Sequence, residues 1–442
     1  MRQPGPGVNP SPGEETTKDN FFASFWQNPS ARGIFRADED AAVRIFALTL
    51  AGGVAMLAAC VAWLPERYAV NLPLHSLLGG AGAPSEDEFR RRIAVPDGFE
   101  IGIWAADVPG ARGLLFTELG DLLVSTPGRG EILRLDRDAD GDGRSDGREV
   151  LLADLEKPFG MDLRDGWLFV GETDAVGRVQ LDATRRVTTG KYTHVVDDLP
   201  SGGHSTRTIR FGPDGWMYVS IGSSCNVCIE EDPRRAAIVR YRPDGSGEQI
   251  FATGLRNAVG FDWHPTTGAL YANDNGRDLL GDDFPPCELN HVVDGGFYGW
   301  PFANGANVPD PDLGAGKAAR IATATPPVHD YPAHNAPLGL AFVSGAKLPQ
   351  AYRNAAMSAL HGSWNRSRKD GYKVVSLHWG AGGAIEQRDF VTGFERDEDV
   401  IGRPVDVAEG PDGAIYVSDD YAGLIYRVAY TGPRSTLADA PR

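Results

Sequence analysis

The chain has 442 residues, of which 55 are glycine and 31 are proline, and its formal net charge at pH 7 is −17. This many helix-disfavouring residues argues against a helical protein. Because 42% of the residues are hydrophobic, which is enough for a large core, the composition favours an all-β fold of many short strands. The acidic balance argues against a nucleic-acid partner, since phosphate binding needs a basic face. Four cysteines are too few for a fold held together by disulfides.

The first 92 residues divide into three predicted parts. Residues 1–40 are rich in Pro, Gly, Ser and Asn and show no apolar period, which predicts a disordered tail. Residues 41–65 contain an uncharged run, 45–64, that has about the length needed to cross a bilayer as one helix. We therefore predict a transmembrane anchor, with a buried helix of a soluble domain as the alternative. Residues 66–92 are predicted to be a linker.

The charges around the apolar run predict its orientation. Basic residues precede the run and the flank after it is nearly neutral, so the positive-inside rule leaves the rest of the chain on the periplasmic side of the inner membrane. A cleaved signal peptide that releases the protein to the periplasm is the alternative, and residues 57–60 resemble a lipoprotein cleavage box ending at Cys60. The single-pass anchor is favoured because the apolar run continues past Cys60 and the charged lead-in is longer than a signal n-region.

One unit recurs between residues 93 and 430: a short apolar strand, a turn of the Pro-Asp-Gly kind, and a second strand that ends in small polar residues. The first four copies begin about 50 residues apart, which is the spacing of propeller blades. A third strand with period-two alternation often follows. We therefore predict a six-bladed β-propeller over residues 93–430 and a C-terminal tail over 431–442. The six copies lie at residues 112–125, 159–171, 208–220, 259–272, 338–342 and 405–418.

The stretch 254–303 is unusually polar for a region where the repeat predicts plain strand and turn. Gly276 and Gly281 give the backbone the freedom to turn carbonyl groups inward. Together with side-chain oxygens, such carbonyls form the sites that hard cations prefer. The side chains that supply oxygen atoms here are Asn273, Asp274, Asn275, Asp278, Asp282, Asp283 and Glu288.

Residues 138–149 match the twelve-residue calcium-loop pattern position by position. The flanks resemble strands, so we predict the loop without the paired helices, and an acidic hairpin tip is the alternative. Such a calcium ion would stiffen a blade edge. The predicted ligands are Asp138, Asp140 and Asp142, then Arg144 through its carbonyl, Asp146 directly or through water, and Glu149 through both carboxylate oxygens.

Several motifs, in order and at close spacing, resemble the pyrroloquinoline quinone (PQQ)-dependent sugar and sorbosone dehydrogenases. These enzymes share a six-bladed β-propeller with soluble quinoprotein glucose dehydrogenase. The likeness covers roughly residues 93–430 and leaves the first ninety residues outside. The motifs that carry it are GLRN at 254–257, NDNGRD at 273–278, GDD at 281–283, ELN at 288–290 and GGFYGWP at 295–301, with further matches at 202–207, 222–228, 361–366 and 402–406.

The resemblance implies a PQQ- and calcium-dependent dehydrogenase that oxidises an aldose or a sorbosone-like aldehyde sugar at C1. His204 matches the histidine that takes the proton of the anomeric hydroxyl as hydride passes to PQQ. Arg256 would stabilise the charge that develops on the reduced quinone, and calcium would polarise the C5 carbonyl of the cofactor. The electrons would then pass to a quinone or a separate carrier, because no haem-attachment Cys-x-x-Cys-His occurs.

The resemblance also assigns residues to the cofactor and to its calcium ion. PQQ is a planar tricarboxylate, and Arg pairs with carboxylates in a planar, two-pronged fashion. The predicted calcium ligands are the carbonyls of Gly276 and Arg277, with Asp282 and Asp283 beside them. Cys287 stands where the family usually has Asp. The predicted cofactor contacts are Arg256, Asn257 and Arg403 by their family positions, His361 and Arg366 by a match to the sorbosone and pyranose branch, and Arg112.

Cys225 and Cys228 have the spacing of a redox pair or of half a metal site. No second Cys pair completes a zinc site, so on the outer side of a membrane we predict a local disulfide. Two other functions stay open at this stage. A lactonase-type propeller would hold a central calcium with Glu, Asn and Asp side chains, and an extracellular binding propeller would need no cofactor. The sequence leaves the sugar open, since the loops between about 301 and 337 would shape its pocket.

Overall fold

The computed structural model describes residues 68–73 and 80–433. The predicted disordered tail, the apolar run 45–64 and Cys60 lie outside these residues, as do residues 434–442 of the predicted C-terminal tail. No helix within the described residues is long and apolar enough to cross a membrane.

A short helix, α1 (Glu86–Arg92), lies within the predicted linker. Ser85 caps it by accepting a hydrogen bond from the Glu88 backbone N–H at 3.2 Å. Its first turn is acidic and its last turn is basic, which suits the helix dipole. Phe89 is buried and stacks on Tyr426 with ring centroids 5.5 Å apart. The predicted linker therefore contains a helix that packs on the last strands of the propeller.

The described residues contain twenty-nine strands, most of them in six large sheets that are antiparallel except where β17 pairs with β13. This arrangement confirms the all-β six-bladed propeller. Strand β1 comes first in the chain, and blades one to three follow it. The bounds are β1 (Phe99–Ala105), β2 (Leu114–Phe116), β3 (Leu122–Thr126), β4 (Glu131–Leu135), β5 (Arg148–Leu152), β6 (Met161–Arg164), β7 (Trp167–Gly171), β8 (Val176–Leu181), β9 (Thr188–Val196), β10 (Ile209–Phe211), β11 (Met217–Ile221), β12 (Ala237–Tyr241) and β13 (Gln249–Thr253).

Blades four to six hold the remaining large strands, and insertions after β16 and β24 form small hairpins. The bounds are β14 (Ala258–Trp263), β15 (Leu270–Asp274), β16 (Cys287–Val292), β17 (Gly296–Phe297), β18 (Ala303–Asn304), β19 (Val308–Pro309), helix α2 (Ala318–Ile321), β20 (His329–Tyr331), β21 (Pro337–Phe342), β22 (Ala356–Leu360), β23 (Lys373–Trp379), β24 (Ile385–Val391), β25 (Glu395–Arg396), β26 (Asp399–Val400), β27 (Pro404–Glu409), β28 (Ile415–Asp419) and β29 (Leu424–Tyr430), with 3₁₀ turns at Gln350–Tyr352 and Ala381–Gly383.

Four of the six second strands, β3, β11, β22 and β28, are buried along their whole length, and β7 and β15 each have one half-buried residue. A strand in this position is covered on both faces by neighbouring blades, so it consists almost entirely of apolar and small residues. The fifth copy of the repeat, 338–342, lies within β21, and β22 pairs with it as the second strand of that blade. The core is thus a ring of apolar layers between blades.

The ring is closed by pairing the two ends of the propeller. Strand β1 runs antiparallel to β29, with Phe99 opposite Tyr430, and it completes the sheet of β27 and β28. Phe99 is 2% exposed and its ring centroid lies 5.2 Å from those of Tyr352, Phe390 and Tyr430. Closure of this kind removes a free sheet edge.

Three aspartates on inner strands join neighbouring blades; Asp406 is buried, and Asp162 and Asp262 are half-buried. Each lies on an inner strand, accepts the backbone N–H of the next residue, and also accepts an N–H from the inner strand of the following blade. Burial raises the pKa of all three, and the charge of Arg210 opposes that rise. The bonds between blades run from Phe211 N to Asp162 at 2.7 Å, from Phe342 N to Asp262 at 2.8 Å and from Leu114 N to Asp406 at 2.9 Å.

One face of the propeller collects the candidate site residues. In an antiparallel pair the start of the inner strand lies beside the end of the second strand, as Ala258 beside Asp274 and Pro404 beside Asp419 show. Residues just before inner strands and just after second strands therefore share this face, which we call the site face. The predicted residues on it are Arg112, His204, Arg256, Asn257, Gly276, Arg277, Asp282, Asp283, His361, Arg366 and Arg403.

Candidate active site

His204 lies before the inner strand β10 and its orientation is fixed by Ser223. Its Nδ1 is 2.9 Å from the Ser223 carbonyl oxygen and 3.0 Å from the Ser223 hydroxyl oxygen. That hydroxyl donates its hydrogen to the Cys225 carbonyl at 2.7 Å, so both Ser223 oxygens accept from Nδ1. Nδ1 must therefore carry the ring proton, which leaves the lone pair of Nε2 available as a base.

The protonation state of His204 follows from its surroundings. Burial is the largest cause that lowers the pKa of His204, and the positive charge of Arg256 is the second. Together they bring it to about 4. The ring is therefore neutral at neutral pH. A neutral imidazole can accept a proton from a hydroxyl group, whereas the imidazolium cannot.

Arg256 is 5% exposed, and protein acceptors engage all five of its N–H bonds. Nε donates to the Asn226 carbonyl at 3.0 Å, and Nη2 donates to Asn226 Oδ1 at 3.0 Å and to the Asp278 carboxylate at 3.2 Å. Nη1 donates to the carbonyls of Asn275 and Gly276 at 3.2 and 2.9 Å. The guanidinium is thus a fixed positive charge beside His204.

Asp274 fixes the backbone of the Arg256–Asn257 pair. Its carboxylate accepts the Arg256 N–H at 2.9 Å and the Asn257 N–H at 2.6 Å. Glu288 lies opposite Asp274 in the pairing of β15 with β16, and burial raises the pKa of both carboxyl groups. Two buried carboxyls so close together disfavour a double negative charge.

Gly222 allows His204 and Asn257 to approach each other. A Cβ atom at this position would lie 2.6 Å from Asn257 Oδ1 and 2.6 Å from His204 Cβ, which is too close for either contact. The absence of a side chain at residue 222 therefore brings the predicted base and the predicted cofactor-binding amide together.

A second cluster on the site face is organised by Asp420. Its carboxylate accepts a hydrogen bond from Arg112 Nη1 at 2.5 Å and lies 3.0 Å from His361 Nε2. Arg403 Nε donates to the His361 carbonyl at 3.3 Å. Burial opposes ionisation of Asp420, but His361 and both arginines together lower its pKa. Burial, and to a smaller extent the charge of Arg403, lower the pKa of His361 to about 4. His361 is therefore neutral at neutral pH and donates its Nε2–H to Asp420.

The predicted motif 361–366 contacts the polar loop that follows β15. Asn365 Oδ1 accepts the Leu279 backbone N–H at 2.7 Å. Arg366 donates to the Asp282 carbonyl, and its Nη2 lies 3.5 Å from the Asp283 carboxylate, whose side chain is 96% exposed. Blades four and five are thus joined on the site face by contacts between these two loops.

Of the two predicted carbonyl ligands of calcium, that of Gly276 already accepts a hydrogen bond from the protein. The Gly276 carbonyl accepts from Arg256, and the Arg277 side chain forms a buried bridge to Asp310 at 2.7 Å. Among the described residues, Asp282 and Asp283 belong to no group of three or more clustered acidic, His or Cys ligands. Asn275 Oδ1, in contrast, is buried without a hydrogen-bond partner. A cation here would therefore bind backbone and amide oxygens.

In the structure, only part of the ligand set predicted for the calcium loop 138–149 lies close together. Glu149 lies on β5, is 69% exposed, and accepts a hydrogen bond from Arg134 at 2.8 Å. Asp142 accepts the Arg144 backbone N–H at 2.8 Å. The structure thus clusters three side chains of the predicted set and places Glu149 with Arg134. The three carboxylates that lie within 4.8 Å of one another are Asp138, Asp140 and Asp146.

The structure joins Cys225 and Cys228 in a disulfide. Cys287 is a free, buried thiol on β16, and burial raises its pKa to about 11. The position that the family usually fills with Asp therefore carries no charge in this protein. A neutral group there leaves Asp278 as the carboxylate that pairs with Arg256.

Sequence reasoning missed three residues that complete the site: Ser223, Asn226 and Asp420. Ser223 and Asn226 lie inside the motif 222–228, but their hydrogen bonds to His204 and Arg256 have no sequence signature. Asp420 follows the second strand of the last blade, where the repeat ends in small polar residues. Its position after that strand was a signal that it lies on the site face.

The site face holds several arginines, and three of them pair with carboxylates on the same face: Arg112 with Asp420, Arg256 with Asp278 and Arg366 with Asp283. Buried and half-buried arginines surround two neutral histidines, and no predicted site histidine is charged at neutral pH. Arginine clusters of this kind fit a ligand that carries several carboxylates. Fold and site together define a six-bladed propeller with an arginine-lined face and a half-buried neutral histidine beside those arginines. The arginines are Arg112, Arg256, Arg366 and Arg403.

Comparison with known proteins gives the family. The profile of the family described as Glucose / Sorbosone dehydrogenase matches residues 169–427, more than half of the chain, and this protein therefore belongs to that family. An uncharacterized protein of Borreliella burgdorferi is 32% identical over 362 residues, which are 78% of this chain and 92% of that protein.

Solved structures share the fold at low sequence identity. The calcium structure of a Trichoderma reesei carbohydrate-active enzyme of family AA12 has a TM-score of 0.67 and 21% identity, over 77% of this chain and 97% of that one. The holo form of the pyranose dehydrogenase PQQ domain from Coprinopsis cinerea has a TM-score of 0.65 and 22% identity, over 79% and 99%. At these identities the likeness establishes the propeller fold.

Proposed function

We propose that this protein is a PQQ- and calcium-dependent dehydrogenase that oxidises an aldose or a sorbosone-like aldehyde sugar at C1. The observation that carries the proposal is a neutral His204 with a free Nε2 beside the fixed charge of Arg256. Membership of the family and the PQQ-bearing pyranose dehydrogenase among the structural neighbours support it. Bound PQQ would supply the hydride acceptor, and bound calcium a Lewis acid beside it.

The arginine-lined face suits this cofactor, and the residues present fit its charge. Among the oxygens near Gly276, Asn275 Oδ1 is buried without a partner. The Gly276 carbonyl has a second lone pair besides the one that Arg256 uses, so it and the Arg277 carbonyl remain our proposed calcium ligands, with Asp282 and Asp283 nearby. Arg256, whose N–H bonds are all engaged by protein acceptors, would act on PQQ through its positive charge. The other residues that would hold PQQ are Arg112, Asn257, His361, Arg366 and Arg403.

His204 would take the proton from the C1 hydroxyl of the sugar through Nε2. Ser223 holds the ring in the required tautomer, so no rearrangement is needed before the proton moves. The positive charge of Arg256 favours an anionic oxygen nearby and disfavours a protonated His204. The same charge therefore helps the half-buried imidazolium to release its proton to solvent after each turnover.

Three further parts of the proposal come from the sequence. The run 45–64 would anchor the propeller on the periplasmic side of the inner membrane, and electrons would leave to a quinone or a separate carrier. The loop 138–149 would bind a structural calcium ion, with Asp138, Asp140 and Asp146 closest to a ligand arrangement.

The experiment uses the full chain in detergent. PQQ is titrated with and without Ca²⁺ while the absorbance of the cofactor is followed, and aldoses or aldehyde sugars are then added with a dye acceptor. We expect calcium-dependent binding and sugar-dependent dye reduction. In His204→Ala, kcat should fall by roughly 10²–10⁴-fold, the usual contribution of a general base, with binding retained. His264→Ala, at the opposite end of an inner strand, is the matched control.

Two results would overturn the proposal. If PQQ does not bind at micromolar concentration with calcium present, the family relationship here extends only to the fold. Ester hydrolysis with calcium alone would then identify a lactonase-type enzyme, and the absence of both activities would favour a binding propeller.

A further inference from the structure

Asn226 binds one whole edge of the Arg256 guanidinium. Its backbone carbonyl accepts from Nε and its side-chain Oδ1 accepts from Nη2, each at 3.0 Å. The other contacts of Arg256 come from the loop after β15, on the Nη1 side and at Asp278. Because two bonds from one residue fix the rotation of a planar group, Asn226 sets the orientation of the guanidinium.

Asn226 is itself held from two directions. Its Nδ2 donates to the Asp278 carbonyl at 3.1 Å, and its Oδ1 accepts the Asp278 backbone N–H at 2.8 Å. Trp300 Nε1 donates to its carbonyl at 3.4 Å. These contacts join the loop after β11 in blade three to the loop after β15 in blade four, across the boundary at which His204 and Arg256 meet.

The Cys225–Cys228 disulfide encloses Asn226 within a four-residue loop. On the other side of that loop the Cys225 carbonyl accepts from the Ser223 hydroxyl, the same group that orients His204. The disulfide-bonded loop therefore contacts both parts of the site. Its Cys225 carbonyl binds Ser223, which orients His204, and its Asn226 binds Arg256. Cys225, Asn226 and Cys228 are all half-buried, so small reagents in solution reach the loop.

We propose that Asn226 is a positioning residue for Arg256 and that the Cys225–Cys228 disulfide holds it in place. The inference rests on the proposed function in so far as Arg256 meets the cofactor. Reduction by a dithiol would break the Sγ–Sγ bond, give two thiols and convert the reductant to its own disulfide. The loop would then be free to open, and Arg256 would lose the orientation of its Nε edge.

The first test compares Asn226→Ala with Val227→Ala, a change in the same loop that removes no bond to Arg256. Each protein is titrated with PQQ in the presence of calcium. Asn226→Ala removes the Oδ1 bond that helps to orient the Arg256 guanidinium, so we expect the Kd for PQQ to rise about tenfold or more. At saturating cofactor kcat should fall while the KM for sugar changes less than about twofold. A Kd for Asn226→Ala within twofold of the Val227→Ala value overturns the positioning role.

The second test asks whether the disulfide acts through Asn226. The protein is reduced with dithiothreitol and separated from the reductant before PQQ is added, because thiols also reduce the cofactor. We expect reduction to raise the Kd of the wild-type protein, and to raise that of Asn226→Ala by a smaller factor. The variant has already lost the Oδ1 bond and keeps only the backbone carbonyl bond to Arg256 Nε. The double variant Cys225→Ser, Cys228→Ser should not respond. Equal effects of reduction on the wild type and Asn226→Ala would show that the disulfide acts independently.

A third measurement separates this inference from the proposed function. Failure of the wild type to bind PQQ counts against the proposed function alone. Positioning is then judged on the protein without cofactor, by hydrogen–deuterium exchange of residues 254–258 and 274–278. Faster exchange in Asn226→Ala than in Val227→Ala supports the role, and equal exchange overturns it.

Discussion

Ser223 shows how a single hydroxyl group prepares a base. Because its hydrogen is donated to Cys225, only its lone pairs face His204, and the tautomer of the imidazole is fixed before any substrate arrives. Sequence reasoning found His204 through its motif but had no means of finding this bond. The partner lies 19 residues away, and only the packing of one loop on another brings the two together.

The lowered pKa of His204 predicts an unusual pH profile. In the proposed mechanism the neutral form of His204 is the active one, and a pKa lowered to about 4 keeps that form populated in acid. We expect kcat/KM to show no loss from His204 between pH 8 and about 5 and to fall only toward pH 4, whereas an unperturbed histidine would titrate near 6.5. Steady-state rates over this range measure it. An acidic limb with a midpoint near 6.5 would contradict the assigned environment.

Gly222 predicts a steric effect on two functional groups at once. In Gly222→Ala the new methyl group would press on Asn257 Oδ1 and His204 Cβ, each 2.6 Å away. Overpacking of this kind costs about 1–3 kcal/mol, and we expect a matching loss of stability together with at least tenfold weaker PQQ binding. Denaturant unfolding and cofactor titration test it. Gly128→Ala, where a methyl group meets nothing within 4 Å, should change neither quantity.

At the scale of elements, periodicity and turn chemistry predicted most of the blades. The third copy, 208–220, covers β10 and most of β11, and the fifth copy, 338–342, lies within β21. Helix α1 was missed within the predicted linker because seven residues are too few for a periodic signal. The contacts of the long insertion after β16, anchored by the Arg277–Asp310 bridge, depend on partners 33 residues apart and carry no local pattern.

The aspartates that join neighbouring blades predict a stability effect away from the site. In Asp406→Ala the Leu114 N–H loses its acceptor in a buried position. Leaving such a group unsatisfied costs about 1–3 kcal/mol, so the free energy of unfolding should fall by that amount. Asp389→Ala breaks only the exposed pair with Lys373 and should cost less than about 1 kcal/mol. Equal effects in denaturant unfolding would refute the role of Asp406 as a link between blades.

At the scale of the whole molecule, the site face draws on five of the six blades. Arg112 belongs to blade one, His204 to blade three, Arg256 to blade four and His361 to blade five, while Arg403 comes from blade six. The site therefore depends on a closed ring, in which the spacing of the blades is fixed by the pairing of β1 with β29.

A substitution at Phe99 tests whether the pairing of β1 with β29 is needed to close the ring. Phe99→Ala removes a buried ring from the aromatic cluster that holds β1 to the last blades, and such a change costs about 3–5 kcal/mol. We expect the denaturation midpoint to fall accordingly and cofactor affinity to fall with it near the midpoint. Val150→Ala, at a side chain 55% exposed, should stay within about 0.5 kcal/mol of the wild type. A small effect of Phe99→Ala would mean that the ring closes without β1.

Ring closure also determines when the site face can form during synthesis of the chain. Strand β1 leaves the ribosome long before β29, and the separation of Phe99 from Leu424 is 325 residues (424 minus 99). At about 5–20 residues per second, the first strand waits roughly 16–65 s for its partner. No nascent intermediate can hold a finished site face, because blade six supplies Arg403 and Asp420 last. Each molecule therefore acquires its chemistry in one late step, when the newest strand of the chain meets the oldest.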